Sequence, residues 1–326
     1  MSRVLVTGAG GFIGSHLTQR LVESGHDVRA FVRYNSLNHW GWLETLPSTI
    51  LARIEICRGD IRDSEAVRKA VLDRDLVYHL AALISIPYSY VNPTDIVQTN
   101  VLGTLNVLNA CAESKALQRL VHTSTSEVYG TARFTPITEE HPLQAQSPYS
   151  ASKIAADKLA ESYHRSFGLP VTVIRPFNTF GPRQSGRAII PSIIIQAIWG
   201  KTIKVGNIEP VRDFCYVEDT VSGFLAMTES KEAVGRVFNI GTGVGLSINN
   251  LIQTILRLLE SRAEVVAEQS RIRPERSEVM ELVCDANQAK SVTGWSPMHS
   301  FEKGLQETIH WIKSNKERYK PEIYNL

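Results

Sequence analysis

Two short motifs hold residues fit for proton chemistry, Thr125-Ser126-Glu127 and Tyr149-Ser150-Ala151-Ser152-Lys153. A tyrosine four positions ahead of a lysine puts both side chains on one face of a helix, one turn apart. The Lys153 ammonium is then expected to stabilise the Tyr149 phenolate, drawing its pKa down from roughly 10 toward the working pH. A phenol tuned this way is a general base for an alcohol proton. Thr125 offers a hydroxyl beside it. Glu127 adds a carboxylate that simple alcohol oxidation does not need, which points to water loss. The Tyr/Lys spacing alone is a weak signal, because it most often yields a packed ring and a solvated amine.

The elements that must position these groups begin at the N-terminus. Val4 to Thr7 reads as a buried strand, and Gly8-Ala9-Gly10-Gly11-Phe12-Ile13-Gly14 follows it. An apolar-periodic helix then runs through Leu17, Leu21 and Val22. Glycines at 8, 11 and 14 permit a tight turn, close approach of backbone to a pyrophosphate and close helix–strand packing. The helix N-terminus supplies amide hydrogens for the anion. Further strands are expected at Asp27 to Val32, Arg53 to Cys57, Leu76 to His79, Arg119 to Thr123 and Val171 to Arg175. Helices are expected from Ser64, around Val97 to Ala112 and at Tyr149. This alternation predicts an α/β fold, a doubly wound parallel sheet of Rossmann type with ligands at the carboxyl ends of its strands. The rhythm is lost after Pro176 and returns around Val237 to Gly241.

These motifs together resemble the extended short-chain dehydrogenase/reductase superfamily, in particular its nucleotide-sugar epimerases and dehydratases. The resemblance runs over nearly the whole chain. It includes Thr7 to Gly14, Gly59 to Asp63, His79-Leu80-Ala81-Ala82 and Asn100 to Thr104. It continues through Arg175 to Pro182, Arg212 to Asp219 and Asn239 to Gly243. By resemblance, a smaller α/β lobe binds the nucleotide sugar. The dinucleotide domain is expected at 1–176 with about 212–246, and the second lobe at about 177–211 with 247–326.

The resemblance implies a mechanism. Tyr149 takes the sugar 4-hydroxyl proton while the C4 hydride moves to a nicotinamide. Lys153 holds the nicotinamide ribose, and Thr125 hydrogen-bonds the 4-oxygen. Epimerases and dehydratases share these steps. In the dehydratases a carboxylate then removes the acidified C5 proton, the 6-hydroxyl leaves as water and the hydride returns to C6. Glu127 stands where that base stands, whereas 4-epimerases usually carry small or apolar residues there. The dTDP-glucose dehydratases carry Asp-Glu after the threonine, but Thr-Ser-Glu resembles the GDP-mannose 4,6-dehydratases. Serine is too weak an acid to protonate the leaving group by itself, so Glu127 is available for both transfers. Ser126 reads equally as a hydrogen-bonding spacer. The segments Arg33 to Glu44 and His79 to Tyr90 resemble the GDP-N-acetylglucosamine 4,6-dehydratases at the head of bacterial legionaminic-acid pathways. Two rivals stay open: a nucleotide-sugar 4-epimerase and a non-catalytic dinucleotide-sensing regulator.

The cofactor can be argued separately. Enzymes of this architecture that take NAD place an acid at the end of the second strand to bind the ribose 2′-hydroxyl. Here Val32 stands there, followed by Arg33, and Arg33 with Asn35 or Ser36 could bind a 2′-phosphate. NADP is favoured, with NAD the alternative. Asp60 and Ile61 are expected to border the adenine, with Leu80, Ala81, Ala82 and Pro176 also on the cofactor path. For the substrate, Asn178, Arg212 and Arg273 resemble diphosphate-contacting residues of the family. Arg187 and Arg276 are weaker candidates, and Ser85, Tyr88 and Ser89 are placed near the sugar. His79 is read as packing or capping a strand end, with no second histidine nearby to suggest a metal site.

Composition sets outer bounds. The chain has 326 residues, 43% hydrophobic and 21% charged, which is ordinary for a globular protein with one large core and a smaller lobe. A formal net charge of +2 gives no reason to invoke nucleic acid. The four cysteines lack C-x-x-C spacing and fit buried thiols in a reducing cytosol. No signal peptide or membrane span is read, so a cytoplasmic location is expected. Apolar positions on the helices around Val97 to Ala112 and Tyr149 to Arg165 suggest a homodimer.

Overall fold

A computed structural model describes residues 1–320. Seven strands form the central sheet: β1 (Arg3–Thr7), β2 (Asp27–Arg33), β3 (Ile54–Gly59), β4 (Leu76–His79), β5 (Arg119–Thr123), β6 (Val171–Pro176) and β7 (Val237–Ile240). Their order is β7-β6-β5-β4-β1-β2-β3, and every neighbouring pair is parallel. Helices cover both faces, so Val4, Leu5, Val6, Val77, Leu120, Val121 and Ile174 are all at most 1% exposed. Strands buried on both faces need apolar side chains at successive positions, which is why they read as continuous runs. The strand order reverses between β1 and β4, and the crevice at that switch point is where this architecture binds ligands.

The helix carrying Tyr149 and Lys153 spans Pro148–Phe167. Its start is set by a capping box between Ser147 and Ser150 with proline at the first turn, and its end by Gly168 in a left-handed conformation. The helix expected around Val97 to Ala112 is broken. Pro93–Val97 leads into a π-helical turn, Gln98–Leu102, and then into Gly103–Glu113. Within the turn the buried Asn100 accepts from Leu83 N (2.8 Å) and donates to Leu83 O (2.9 Å) and Ser152 Oγ (3.0 Å). The turn therefore ties the loop after β4 to the Tyr149 helix. Such turns recur at functional sites.

A second, smaller sheet is built around Val211–Tyr216. That strand pairs with Gly245–Ser247, Glu281–Leu282 and Asn178–Phe180. A two-stranded parallel pair, Thr202–Val205 with Glu264–Ala267, lies apart from it. Val211–Tyr216 thus belongs to the small sheet, and the chain rejoins the large one through helix Val217–Glu229 and β7. The apolar pattern of Phe214-Cys215-Tyr216 suits either sheet; only its pairing partners decide between them.

All four cysteines are free, with Cys111, Cys215 and Cys284 buried and Cys57 partly so. No described helix is long and apolar enough to cross a membrane. No group of His, Cys, Asp and Glu among the described residues could hold a metal ion. Residues 321–326 lie outside the described residues.

Candidate active site

One cavity of about 1290 Å³ runs along the carboxyl ends of the strands. It exceeds the roughly 300–1,000 Å³ usual for a single small ligand. At one end stand Gly8, Gly10, Gly11, Phe12, Ile13 and Gly14. Gly8 has φ +72°, and a Cβ there would lie 2.7 Å from the Ala81 nitrogen. A Cβ on Gly14 would lie 2.2 Å from the Gly8 carbonyl oxygen. The glycines therefore let the loop, the β4 end and the helix Phe12–Glu23 meet backbone to backbone. Gly11 caps that helix with no side-chain hydrogen bond, and its first turn holds no acid. Its leading amides face the cavity without a competing anion, which fits a pyrophosphate.

Asp60, Ile61, Leu80, Ala81, Ala82 and Pro176 also line this end. The Asp60 carboxylate is held by Arg62 at 2.6 Å, and that hydrogen bond keeps its pKa low despite partial burial. Arg33 is exposed on the cavity wall. Asn35 lines it too, but its side chain donates to His39 O (2.7 Å) and accepts from His39 N (3.0 Å). Its polar atoms shape the loop, and Ser36 lies outside the cavity lining. Of the three residues expected at a 2′-phosphate, the geometry leaves Arg33 with a free role.

Thr125, Ser126, Glu127, Tyr149 and Lys153, the groups expected to react, all line the cavity. Thr125 caps the short turn Ser126–Tyr129, its Oγ1 accepting from Glu127 N at 3.2 Å. The same hydroxyl sits against the Tyr149 phenol. Ser126 is buried, and Glu127 opens onto the cavity. The Glu127 charge acts on both Tyr149 and Arg212, so the carboxylate lies within electrostatic reach of the phenol and of a guanidinium.

The expected phenolate-stabilising contact is absent in this arrangement. Burial pushes the Tyr149 pKa up; Thr125 and Arg187 oppose that, while Glu127 and Asp157 add to it. Lys153 Nζ instead donates to the Thr123 carbonyl at 2.6 Å. Burial lowers its own pKa to about 8, with Asp157 working the other way. Helical spacing put the two side chains on one face, but a strand-end carbonyl claims the ammonium.

At the far end, Asn178, Arg187, Arg212 and Arg273 line the cavity. Asn178 Oδ1 is buried with no hydrogen-bond partner, as is Arg273 Nη1. Arg212 donates to the Val211 and Val279 carbonyls, and Glu278 lies 3.8 Å from both Arg212 and Arg273. Ser85 lines the cavity and caps helix Ile86–Val91. Tyr88 does not line it, and its hydroxyl donates to Asp95 at 3.0 Å. Arg276 is exposed and also outside the lining.

Sequence reasoning missed several wall residues. Gln184, Ser185, Lys204 to Asn207 and Glu278 all face the cavity, though none sits in a motif. It also missed His122, whose ring lies 5.6 Å from that of His79. His79 bonds the Thr7 and Thr104 hydroxyls at 2.8 and 3.0 Å, pinning β4 to β1 and to helix Gly103–Glu113. Burial holds both imidazoles below their ordinary pKa.

A family model described as GDP-mannose 4,6 dehydratase matches residues 5–308. The dTDP-glucose 4,6-dehydratase of Escherichia coli is 32% identical, over 97% of this chain and 94% of its own. A trifunctional UDP-glucose 4,6-dehydratase/UDP-4-keto-6-deoxy-D-glucose 3,5-epimerase/UDP-4-keto-L-rhamnose-reductase of Arabidopsis thaliana is 32% identical over 96% of this chain. The chain spans about half that protein's length, 47%. Among solved structures, the UDP-glucuronic acid 4-epimerase of Bacillus cereus, in complex with UDP-glucuronic acid and NAD, superposes with a TM-score of 0.87. It is 30% identical and covers 96% of this chain and 99% of its own.

Proposed function

The chain belongs to the GDP-mannose 4,6-dehydratase family, within the extended short-chain dehydrogenase/reductase fold. From that premise we propose that it is a nucleotide-sugar 4,6-dehydratase that turns a GDP-hexose such as GDP-N-acetylglucosamine into its 4-keto-6-deoxy form. The observation that carries this reading is the Glu127 carboxylate, which lines the same cavity as Tyr149 and Arg212 and acts electrostatically on both. The preference for a GDP-hexose, and for a place at the head of a legionaminic-acid pathway, rests on the loop resemblances at Arg33 to Glu44 and His79 to Tyr90.

Gly8 to Gly14, Ala81 and Lys153 would hold the nicotinamide dinucleotide, which when bound supplies a hydride acceptor and donor. Tyr149 takes the proton of the sugar 4-hydroxyl. Thr125 Oγ1 already accepts from the Glu127 amide, so its own proton is free to donate to the same sugar oxygen. Once C4 is a ketone, Glu127 removes the C5 proton and delivers a proton to the departing 6-hydroxyl. Arg212 and Arg273 bind the diphosphate, with Arg187 beside the phenol and Asn178 Oδ1 unpartnered for a donor on the sugar nucleotide. NADP is the proposed cofactor, supported by exposed Arg33 and by Val32 in place of an acid. A homodimer is proposed from Val91, Val97 and Leu102, which are 70%, 45% and 49% exposed beside the Tyr149 helix.

The test is Glu127→Gln. This change removes the base for C5 and also removes a charge that opposes the Tyr149 phenolate. Oxidation at C4 is retained, water loss stops and reduced nicotinamide absorbance builds up when sugar nucleotide is added. Normal 6-deoxy product from this variant would overturn Glu127 as the C5 base, and a C4-inverted sugar of unchanged mass from the wild-type protein would favour a 4-epimerase over a dehydratase.

A further inference from the structure

A buried carboxylate behind the reacting groups has no part in the steps above. Asp157 lies on the same helix, one turn beyond Lys153 and two beyond Tyr149, and its side chain is 0% exposed. Its Oδ2 accepts from Ser124 Oγ at 2.8 Å and from Arg175 Nε and Nη2, both at 3.1 Å. Its Oδ1 lies 3.3 Å from His122 Nε2. Arg175 continues the chain, donating to the Tyr129 hydroxyl at 2.9 Å, which donates to Asn239 Oδ1 at 2.7 Å. One carboxylate thus binds the catalytic helix to β5 and β6, and through Arg175 to β7.

Its position relative to segment 122–125 matters most. His122 and Ser124 contact the carboxylate, whereas Thr123 and Thr125, between and after them, hold Lys153 and Tyr149. The Thr123 backbone carbonyl and the Thr125 hydroxyl thus serve the reacting groups, while the side chains of His122 and Ser124 serve the anchor. Lys153 interacts with Asp157 on its own helix, His79 on β4 and His122 on β5, while Arg175 on β6 faces the same carboxylate. Burial lowers the pKa of both imidazoles, and Asp157 is the anion set against two buried cations, Lys153 and Arg175. Burial pushes the Asp157 pKa up, but His122, Arg175 and Lys153 together hold it below the usual carboxylate range.

We infer that Asp157 is a positioning residue, the buried counter-ion that keeps Lys153 protonated and fixes the Thr123–Thr125 strand end against the catalytic helix. This rests on the reading of Lys153 as part of the reacting centre. Without the anion, the burial of Lys153 is unopposed, and it gives up its proton at lower pH. Without Arg175, the carboxylate acts on Lys153 alone, and the proton is held to higher pH.

The test titrates Lys153 in cofactor-free protein carrying ¹³C-lysine, its resonance assigned by its loss in Lys153→Arg. In Asp157→Asn the midpoint falls by about one pH unit or more. In Arg175→Gln it moves the opposite way. A purely structural role would lower the melting temperature of either variant and leave the midpoint where it is, and that result overturns the inference. If Asp157→Asn does not accumulate as folded protein, the direction of the Arg175→Gln shift decides alone. The titration uses no sugar, so its outcome is separate from whether the wild-type protein removes water from a nucleotide sugar.

Discussion

Glu127 is one residue among 326, yet the choice between losing water and merely inverting a hydroxyl turns on it. Its type and its place two positions after Thr125 were legible because a carboxylate there has a use in only one of the two reactions. The state of Tyr149 was not. Helical spacing reports which side chains share a face, but the Thr123 carbonyl that takes the Lys153 ammonium comes from β5, and no local pattern announces it. Asn35 and Ser36 show the same limit: residues with suitable donors were present, and the loop's own hydrogen bonds consumed one of them. Arg33 remains, and it yields a prediction. Arg33→Ala weakens NADP binding about tenfold or more, the worth of a charge-assisted hydrogen bond, and leaves NAD binding nearly unchanged. Fluorescence titration with each dinucleotide checks this; equal weakening of both, or NAD bound in the purified protein, contradicts it.

At the scale of elements, the central strands were legible because burial on both faces writes apolar runs such as Val4-Leu5-Val6 into the inner ones, and alternation marks the edge strand Ile54–Gly59. The π turn at Gln98–Leu102 was not, since neither proline nor glycine marks it. It is held by Asn100 bonding to Leu83 and Ser152, partners that lie close only after folding. The helix after the glycine loop carries a further constraint. His16 is half-buried with its Nε2 2.9 Å from the Pro182 carbonyl, and desolvation, with the Arg183 charge nearby, lowers its pKa to about 3. An unfolded chain protonates His16 near 6.5, so between about pH 6.5 and 3 the unfolded state binds the extra proton. Stability from this group is therefore full above 6.5 and declines as pH falls, by up to about 1.4 kcal/mol per pH unit. His16→Asn, which keeps a donor for Pro182 and does not titrate, flattens part of that slope. Urea unfolding at pH 7 and pH 5 measures it; an unchanged difference between the two pH values would count against His16 as a source.

Across the whole molecule, the sheet and the cavity along its strand ends were foreseeable, whereas the far wall of the cavity was not. Lys204 to Asn207 and Glu278 meet there from segments more than seventy residues apart, brought together by pairing in two small sheets that carry no strong periodicity. The exposed Val91, Val97 and Leu102 beside the catalytic helix belong to this scale too. Light scattering is expected to give twice the 36.3 kDa chain mass, through a two-fold interface burying above ~1,000 Å². A mass of 36.3 kDa across micromolar concentrations would rule the pairing out. Dehydration is tested by mass analysis after incubating the purified protein with GDP- and UDP-hexoses, including the 2-acetamido forms. A GDP-hexose is expected to give a product lighter by one water; a sugar nucleotide of unchanged mass, inverted at C4 or untouched, would rule the dehydratase out.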